Sequence, residues 1–481
     1  MDYTQLSQIP TILDELRTTF RSGITKPLAW RRHQLLQLAR FAQENADDLA
    51  ECLRLDLGRP KQEAFMTEIG PIIERCLICV EKLEEWAKPE KLVVTDWQAA
   101  WKPRVEKHPK GVVLIIAPWN YPIILSLQPL YGAISAGCCA VLKPSEISAN
   151  VSSFLARTLP KYLDQSAYRV ILGGVPEATK ILELKWDHIF YTGNGRVARI
   201  VSTAAAKHLT PLTLELGGKS PVIVDSTADI FLTAKRILWG KINNAGQICV
   251  APDYILAQSS IVPSLIIAFK EHYDAFFPEG ALASASYSRI ISETHFARLK
   301  DILGRTNGKI VTGGNWENEG GKLVFEPTVV TGVTVGDSLL DEEIFGPVLP
   351  IISVETLDDA LEHINQRDHP LVLYAFTTSE ENKRKIVANT TSGGVLFNDT
   401  FQQLSVGELP FGGVGESGYG RQVLKYSFDN FVYERGILDI PYQAEPSLAI
   451  RYPPYTAQSL MEFMCAVVKQ AIPDDDKESL S

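Results

Sequence analysis

The sequence predicts an α/β protein built on a mostly parallel sheet covered on both sides. Short apolar runs recur through the first half of the chain, and helical patterns lie between several of them. The strongest run, Gly111 to Ala117, is continuously apolar and bounded by Gly and Pro, as a strand buried on both faces should be. In order, Ile12 to about Arg54 is helical in pattern, with Leu35, Leu36, Leu38, Ala39 and Ala42 along one side. Gly58-Arg59-Pro60 ends that region and Glu63 to Trp86 resumes it. Val93 to Val105 is short and alternating, with Trp97 and Trp101 placed as in a peripheral hairpin. After Gly111–Ala117, strands are expected at Ala140–Lys143, Arg169–Leu172, His188–Tyr191, Leu212–Glu215 and Ser220–Val224. A second alternating region follows from Ile242 to about Asn398.

Composition narrows the class. At 481 residues the chain has length for two to four domains, and 45% apolar with 22% charged residues is ordinary for a globular protein. The 47 basic residues are outnumbered by 57 acidic ones, and Lys102-Pro103-Arg104 is the nearest approach to a basic run; nucleic acid is not an expected partner. Met1 to Arg21 is polar and unlike a secretory leader, and Gly111–Trp119 is about half the length of a membrane span. Seven cysteines fit reduced thiols and a cytoplasmic location. Cys76 and Cys79 alternate with apolar residues at helical spacing, Cys138 and Cys139 sit in an apolar stretch, and no metal site is expected.

Four segments carry chemistry. In His188-Ile-Phe-Tyr-Thr-Gly193-Asn-Gly195-Arg-Val-Ala198 a strand runs into G-x-G-x-x-A and a helix. That is the context of a dinucleotide-binding turn, which by spacing alone would give a ribose hydroxyl to Glu215. In Leu214-Glu215-Leu216-Gly217-Gly218 a carboxylate sits between apolar residues at a strand end, where burial would make it a base near neutral pH. Asn243-Asn244-Ala245-Gly246-Gln247-Ile248-Cys249 puts one cysteine in a loop of small and polar residues, a setting for a nucleophile. Ala117-Pro118-Trp119-Asn120-Tyr121-Pro122 ends a buried strand, where an Asn amide can hold an oxyanion.

Together with Ala204-Ala-Ala-Lys-His-Leu-Thr-Pro-Leu-Thr-Leu-Glu-Leu-Gly-Gly-Lys-Ser-Pro221, Glu342-Glu-Ile-Phe-Gly-Pro-Val-Leu-Pro350 and Leu409-Pro-Phe-Gly-Gly-Val-Gly-Glu-Ser-Gly418, these segments resemble the aldehyde dehydrogenase superfamily, most closely its class 3 branch with the fatty-aldehyde enzymes. The resemblance runs from about residue 12 to Arg451-Tyr-Pro-Pro454. It implies that Cys249 is the nucleophile and Glu215 the base that activates the hydrolytic water, with the oxyanion held by Asn120 and the Cys249 N–H. It implies that Lys143 and Glu146 bind the adenosine ribose, Gly193 opens the phosphate turn, and Glu343, with Phe345 and Trp119, holds the nicotinamide end. The ribose role thus passes from Glu215 to Lys143 and Glu146. Ala198 stands where the family's turn usually carries Gly; its methyl would tighten helix–strand packing or shift the pyrophosphate. The cofactor implied is NAD, with NADP also accepted.

The same resemblance implies a Rossmann-type NAD-binding domain from 1–86 and 109–216, an α/β catalytic domain from 217–412, and a bridging oligomerisation arm from 87–108 and 413–440. It implies a homodimer. The reaction implied is oxidation of an aldehyde to the acid through a cysteine hemithioacetal and thioester. Phe65, Met66, Tyr121 and Phe411 are expected to line an apolar tunnel for medium- or long-chain aliphatic aldehydes, with aromatic aldehydes or apocarotenals as alternatives. A coenzyme A-acylating relative would not need Glu215, and a silent binding protein on the same fold should have lost Cys249 or Glu215. In the extension 441–481, Leu460, Met461, Met464, Val467, Val468, Ala471 and Ile472 recur at helical spacing, before Pro473 and the charged run Asp474–Glu478. This amphipathic helix is expected to cover the substrate entrance, with peripheral membrane contact as the alternative and no span of a bilayer.

Overall fold

The computed structural model describes residues 2–318 and 320–472. Two sheets organise the larger of its two compact units, 1–87 with 108–433. In the first sheet the order is Gly418–Tyr419, Leu212–Glu215, His188–Thr192, Val112–Ile116, Cys139–Lys143, Tyr168–Val170. All pairs are parallel except the short Gly418–Tyr419 edge. Val112, Val113, Leu114 and Ile115 are fully buried, because helices cover both faces of this strand. The helix Ile124–Ala136 is buried at every position from Ser126 to Ala136, as a helix apolar all round must be. The chain leaves Val112–Ile116 for Cys139–Lys143 and Tyr168–Val170, then returns to place His188–Thr192 on the other side. That reversal opens a crevice at the carboxyl ends of Val112–Ile116 and His188–Thr192, where parallel sheets bind ligands.

The second sheet runs Lys309–Thr312, Thr328–Thr331, Val348–Val354, Tyr254–Gln258, Pro221–Val224, Val372–Phe376, Gly394–Phe397. Only Lys309–Thr312 is antiparallel to its neighbour. Each sheet has its own apolar core. Cys76, Cys79, Cys138 and Cys139 are buried in the first.

The smaller unit takes 88–107 and the chain from Glu434. The stretch 413–433, expected in an arm, belongs to the larger unit, because Val423, Leu424, Phe428 and Phe431 are buried in the first core. The expected hairpin over Val93–Val105 is different in detail. Glu90–Lys91 pairs antiparallel with Arg104–Pro109, and between them Asp96–Ala99 is a helical turn. Thr95 and Gln98 form a capping box there, which outweighs the alternation; Trp97 meets Trp101 edge-on at 4.8 Å. The C-terminal helix is shorter than its apolar pattern: Ala457–Phe463 continues as one wide turn, Met464–Val468, with no buried residue. Ala471 and Ile472 lie beyond it, and Pro473 and Asp474–Glu478 lie outside the described residues. No helix among the described residues is long and apolar enough to cross a membrane.

Candidate active site

The loop after Val112–Ile116 is fixed by a buried ion cluster. Arg59 is fully buried, pairs with Glu68, lies 3.6 Å from Glu63, and donates Nη2–H to the Asn120 carbonyl at 2.5 Å. Its guanidinium also stacks 4.3 Å over the Tyr121 ring. Glu68 Oε2 accepts the Ile123 and Ile124 N–H groups at 2.7 and 3.0 Å. It thereby satisfies the start of helix Ile124–Ala136, which has no side-chain cap of its own. Glu63 accepts the Asn244 N–H at 2.8 Å, so the same cluster holds the cysteine loop.

In that loop Asn244, Ala245 and Gly246 all have positive φ (47°, 51° and 74°). A Cβ at Gly246 would strike the Gly346–Pro347 backbone, so glycine is required by both conformation and space. Gln247 clamps the turn: Nε2 donates to the Asn244 and Arg289 carbonyls at 2.8 and 2.9 Å, and Oε1 accepts the Ile291 N–H at 3.0 Å. The Gln247 carbonyl accepts Asn120 Nδ2 at 3.1 Å. Asn120 and the segment leading to Cys249 are therefore bonded directly.

Cys249, Asn120 and Glu215 line one cavity of about 580 Å³, together with Met66, Tyr121, Thr192 and Phe411. Phe65 is not among its lining residues. One position along a helical turn points about 100° away; Phe65 is over a third exposed, and the Lys61 ammonium sits 5.3 Å from its ring centre. Glu215 ends its strand opposite Thr192 and Gly418. Both its carboxylate oxygens are buried without a hydrogen-bond partner, as is Thr192 Oγ1. Burial drives the Glu215 pKa far above the usual carboxylate range, opposed by the Arg421 charge and the Gln422 amide. Burial, then the Glu343 and Glu215 carboxylates, push the Cys249 thiol up to about 12. Glu343 is itself raised to about 8 by burial and by Asp253, against the Gly218 N–H, Lys219 and Arg298.

Glu343 lies over Gly217, where any Cβ would meet its carboxylate. Its segment is pinned three ways. Lys219, paired with Asp253, donates to the Leu339 and Glu342 carbonyls at 2.9 and 2.8 Å. Asp253 accepts the Ile344 N–H at 2.9 Å, and Arg298 donates to the Glu342 carboxylate and the Ile344 carbonyl at 2.9 and 2.5 Å. Phe345, at φ 47°, meets Trp119 edge-on with ring centres 5.4 Å apart.

At the carboxyl ends of the first sheet, Lys143 is buried and pairs with Glu146 at 2.8 Å. Gly193 approaches the Tyr191 phenol so closely that a Cβ would overlap it. Asn194 caps helix Gly195–Ala206 by accepting the Val197 N–H at 3.0 Å. Ala198 is buried in the first core, so its methyl is spent on packing. The buried Lys143–Glu146 ion pair, the glycines at the start of helix Gly195–Ala206 and the Trp119–Phe345 aromatic pair are groups that fit a nicotinamide dinucleotide. The sequence pointed to Cys249, Glu215, Asn120, Lys143, Glu146 and Gly193. It passed over Arg59, which read as a helix terminator, and Glu68. A carboxylate inside the apolar run Phe65–Ile73 was the available signal.

A family model described as "Aldehyde dehydrogenase family" matches residues 3–437. Aldehyde dehydrogenase family 3 member B1 of Bos taurus is 44% identical over 458 residues, 95% of this chain and 96% of the relative. A dimeric NADP-preferring aldehyde dehydrogenase of Canis lupus familiaris is 42% identical over 453 residues, 94% and 99% of the two chains. Among solved structures, the substrate-bound state of Staphylococcus aureus AldH superposes with a TM-score of 0.92 at 38% identity, covering 96% of this chain and 99% of that one.

Proposed function

The chain belongs to the aldehyde dehydrogenase family, whose members act on aldehydes with NAD or NADP, and from that premise we propose that Cys249 is the nucleophile and Glu215 the base of the hydrolytic step. One observation carries the reading: Cys249, Asn120 and a buried, unpartnered Glu215 share the wall of a single cavity.

The Cys249 thiol gives its proton to solvent, and the thiolate Sγ adds to the aldehyde carbon. The new oxyanion is met by the Cys249 N–H and by Asn120 Nδ2, which gives one N–H to Gln247 and keeps the second. Arg59 and Gln247 hold Asn120 in place, so no reorganisation is needed as charge develops. When bound, a nicotinamide would supply the acceptor for the hydride lost as the hemithioacetal becomes a thioester. Lys143 and Glu146 would bind its adenosine ribose, Gly193 and the start of helix Gly195–Ala206 would take the pyrophosphate, and Glu343 with Phe345 and Trp119 would hold the nicotinamide end. Glu215 then removes a proton from water, which attacks the thioester and frees the acid. An acyl transfer to coenzyme A gives no use for an unpartnered buried carboxylate beside the cysteine, and neither does a silent binding protein.

The lining is mostly apolar, with Tyr121, Met66 and Phe411 beside the cysteine; medium- and long-chain aliphatic aldehydes are the substrate class this favours. The proposed domain division at 1–86 with 109–216, and 217–412, is supported by the two cores, with Tyr121 crossing into the second. Seven free thiols fit the reducing cytoplasm. The active species is a homodimer, and the exposed Leu460, Met461, Val467 and Val468 form a face for covering the substrate entrance or for touching a membrane surface. Cys249→Ala should bind NAD and keep its fold by circular dichroism while losing turnover. Near-normal turnover in that variant sinks the reading.

A further inference from the structure

A second set of polar side chains in the cavity wall forms a chain whose polarity is dictated at one end. Arg75, from helix Gly70–Ala87, donates Nη2–H to the Leu404 carbonyl at 2.7 Å and Nη1–H to Gln128 Oε1. A guanidinium has donors only, so Gln128 must turn its oxygen to Arg75 and its NH₂ away. Gln128 Nε2 then donates to Gln422 Oε1 at 2.8 Å, which forces the same choice on Gln422. The Gln422 backbone is tied to Phe411 by two hydrogen bonds, 2.7 and 3.3 Å, so the side chain starts from a fixed base. Its Nε2 is buried without a partner, as are both carboxylate oxygens of Glu215 in the same cavity. A donor lacking an acceptor thus shares a cavity wall with an acceptor lacking a donor, close enough for the Gln422 amide to act on the Glu215 carboxylate, an arrangement costly unless the two meet during the cycle.

We propose that Arg75, Gln128 and Gln422 are a positioning chain for Glu215: they present an N–H and never a carbonyl to the base, and hold the carboxylate by that hydrogen bond while it takes the proton of the hydrolytic water. The inference rests on Glu215 being that base. The Gln422 amide already favours the ionised carboxylate, after the larger effect of the Arg421 charge. Arg421 acts through space, since its Nη1 is engaged by the Gly413 and Gly420 carbonyls at 2.6 and 2.7 Å. The Cys249 thiol also feels the Glu215 charge, which is among the causes that raise it. Gln422 is therefore the neutral donor that fixes direction. Gln128 and Arg75 act only through it.

The test follows the acyl-enzyme directly. Hexanal and NAD are mixed with enzyme, acid-quenched at intervals, and the acylated Cys249 counted by intact-protein mass at a series of pH values. In Gln422→Leu acylation should keep its rate within about twofold, while thioester decay slows about tenfold near neutral pH and its pH profile moves up by about one unit, the equivalent of that factor. Gln128→Leu, one link removed from the base, should move the profile in the same direction by less. An unmoved profile in both variants overturns the proposal, and so does loss of acylation and decay together in both, which would make the chain merely structural. If Gln422→Leu alone loses acylation, Gln128→Leu decides. Glu215→Gln separates the two levels: normal decay there refutes Glu215 as the base, whereas stalled decay there with unmoved profiles in the glutamine variants refutes the chain alone.

Discussion

Cys249 rests among groups that keep its proton on, and one of them changes charge within reach of experiment. Glu343 titrates at about 8, and its ionised form is among the causes that push the thiol up to about 12. Below about pH 8 Glu343 is neutral and Glu343→Gln should leave alkylation of Cys249 by iodoacetamide nearly unchanged. Above it the variant lacks a repelling charge, keeps more thiolate, and should react about threefold faster, half a pKa unit. Equal ratios at about pH 7 and about pH 9 would contradict this. Glu146 sets a second residue-scale expectation. Its carboxylate accepts a ribose hydroxyl but repels a 2′-phosphate, and the 2.8 Å pair with Lys143 offsets part of that repulsion. NAD should give the higher kcat/KM, and Glu146→Gln should shift the ratio toward NADP by about tenfold; an unchanged ratio removes Glu146 from cofactor choice. Cys249, Glu215 and Asn120, which line one cavity, could be singled out because each stands in a short stretch whose neighbours are apolar or small. Arg59 could not. Nothing local distinguishes a fully buried arginine from an exposed one in Gly58-Arg59-Pro60; its partners Glu68 and Asn120 are set by tertiary packing. Phe65 failed for a different reason, since hydrophobicity says nothing about which side of a turn a ring takes.

The elements that position the site share one weakness. Segment Lys61–Ala64 with the wide turn Phe65–Ile69 carries Glu63 and Glu68 to Arg59, and that cluster braces the Asn120 loop and the Asn244 N–H at once. Removing one partner of a buried pair strands the other charge, at about 3–5 kcal/mol. Glu68→Gln should lose stability on that order by urea unfolding, with the Glu63 carboxylate moderating the loss. It should also lower kcat by displacing the Asn120 amide. A variant as stable and active as the parent would show that the loop is held otherwise. At this scale the strands were readable wherever both faces are buried: Val112–Ile116 and His188–Thr192 lie within a residue or two of their apolar runs. Val93–Val105 was not, because alternation without burial is weaker than a local capping box. The C-terminal helix ends at Val468 although apolar spacing continues, as a helix with no buried face gains nothing from extension.

Across the whole molecule, two sheets meet at a shared site, the first through its carboxyl ends (Asn120, Thr192, Glu215) and the second through the segment preceding Tyr254–Gln258 (Cys249), with Glu343, ahead of Val348–Val354, near enough to raise that thiol. Fold class was legible from the rhythm of runs and helices, but the bond between Asn120 and Gln247 joins positions 127 apart; the resemblance to a family anticipated only that Asn120 and Cys249 share a site. Assembly and the C-terminal face are testable at this scale. The enzyme should sediment as a dimer, and a chain ending at Thr456 should change kcat/KM for long aldehydes more than for short ones. Equal effects at all chain lengths remove the entrance role, and release from anionic vesicles on truncation favours membrane contact. The central claim is that one cavity performs two steps, with Cys249 for the first and Glu215 for the second. Rapid mixing of Glu215→Gln with hexanal and NAD tests it most directly. A burst of reduced cofactor equal to the enzyme sites should come first, then a stall with the acyl group on Cys249; undiminished steady turnover, or no burst at all, would contradict that assignment.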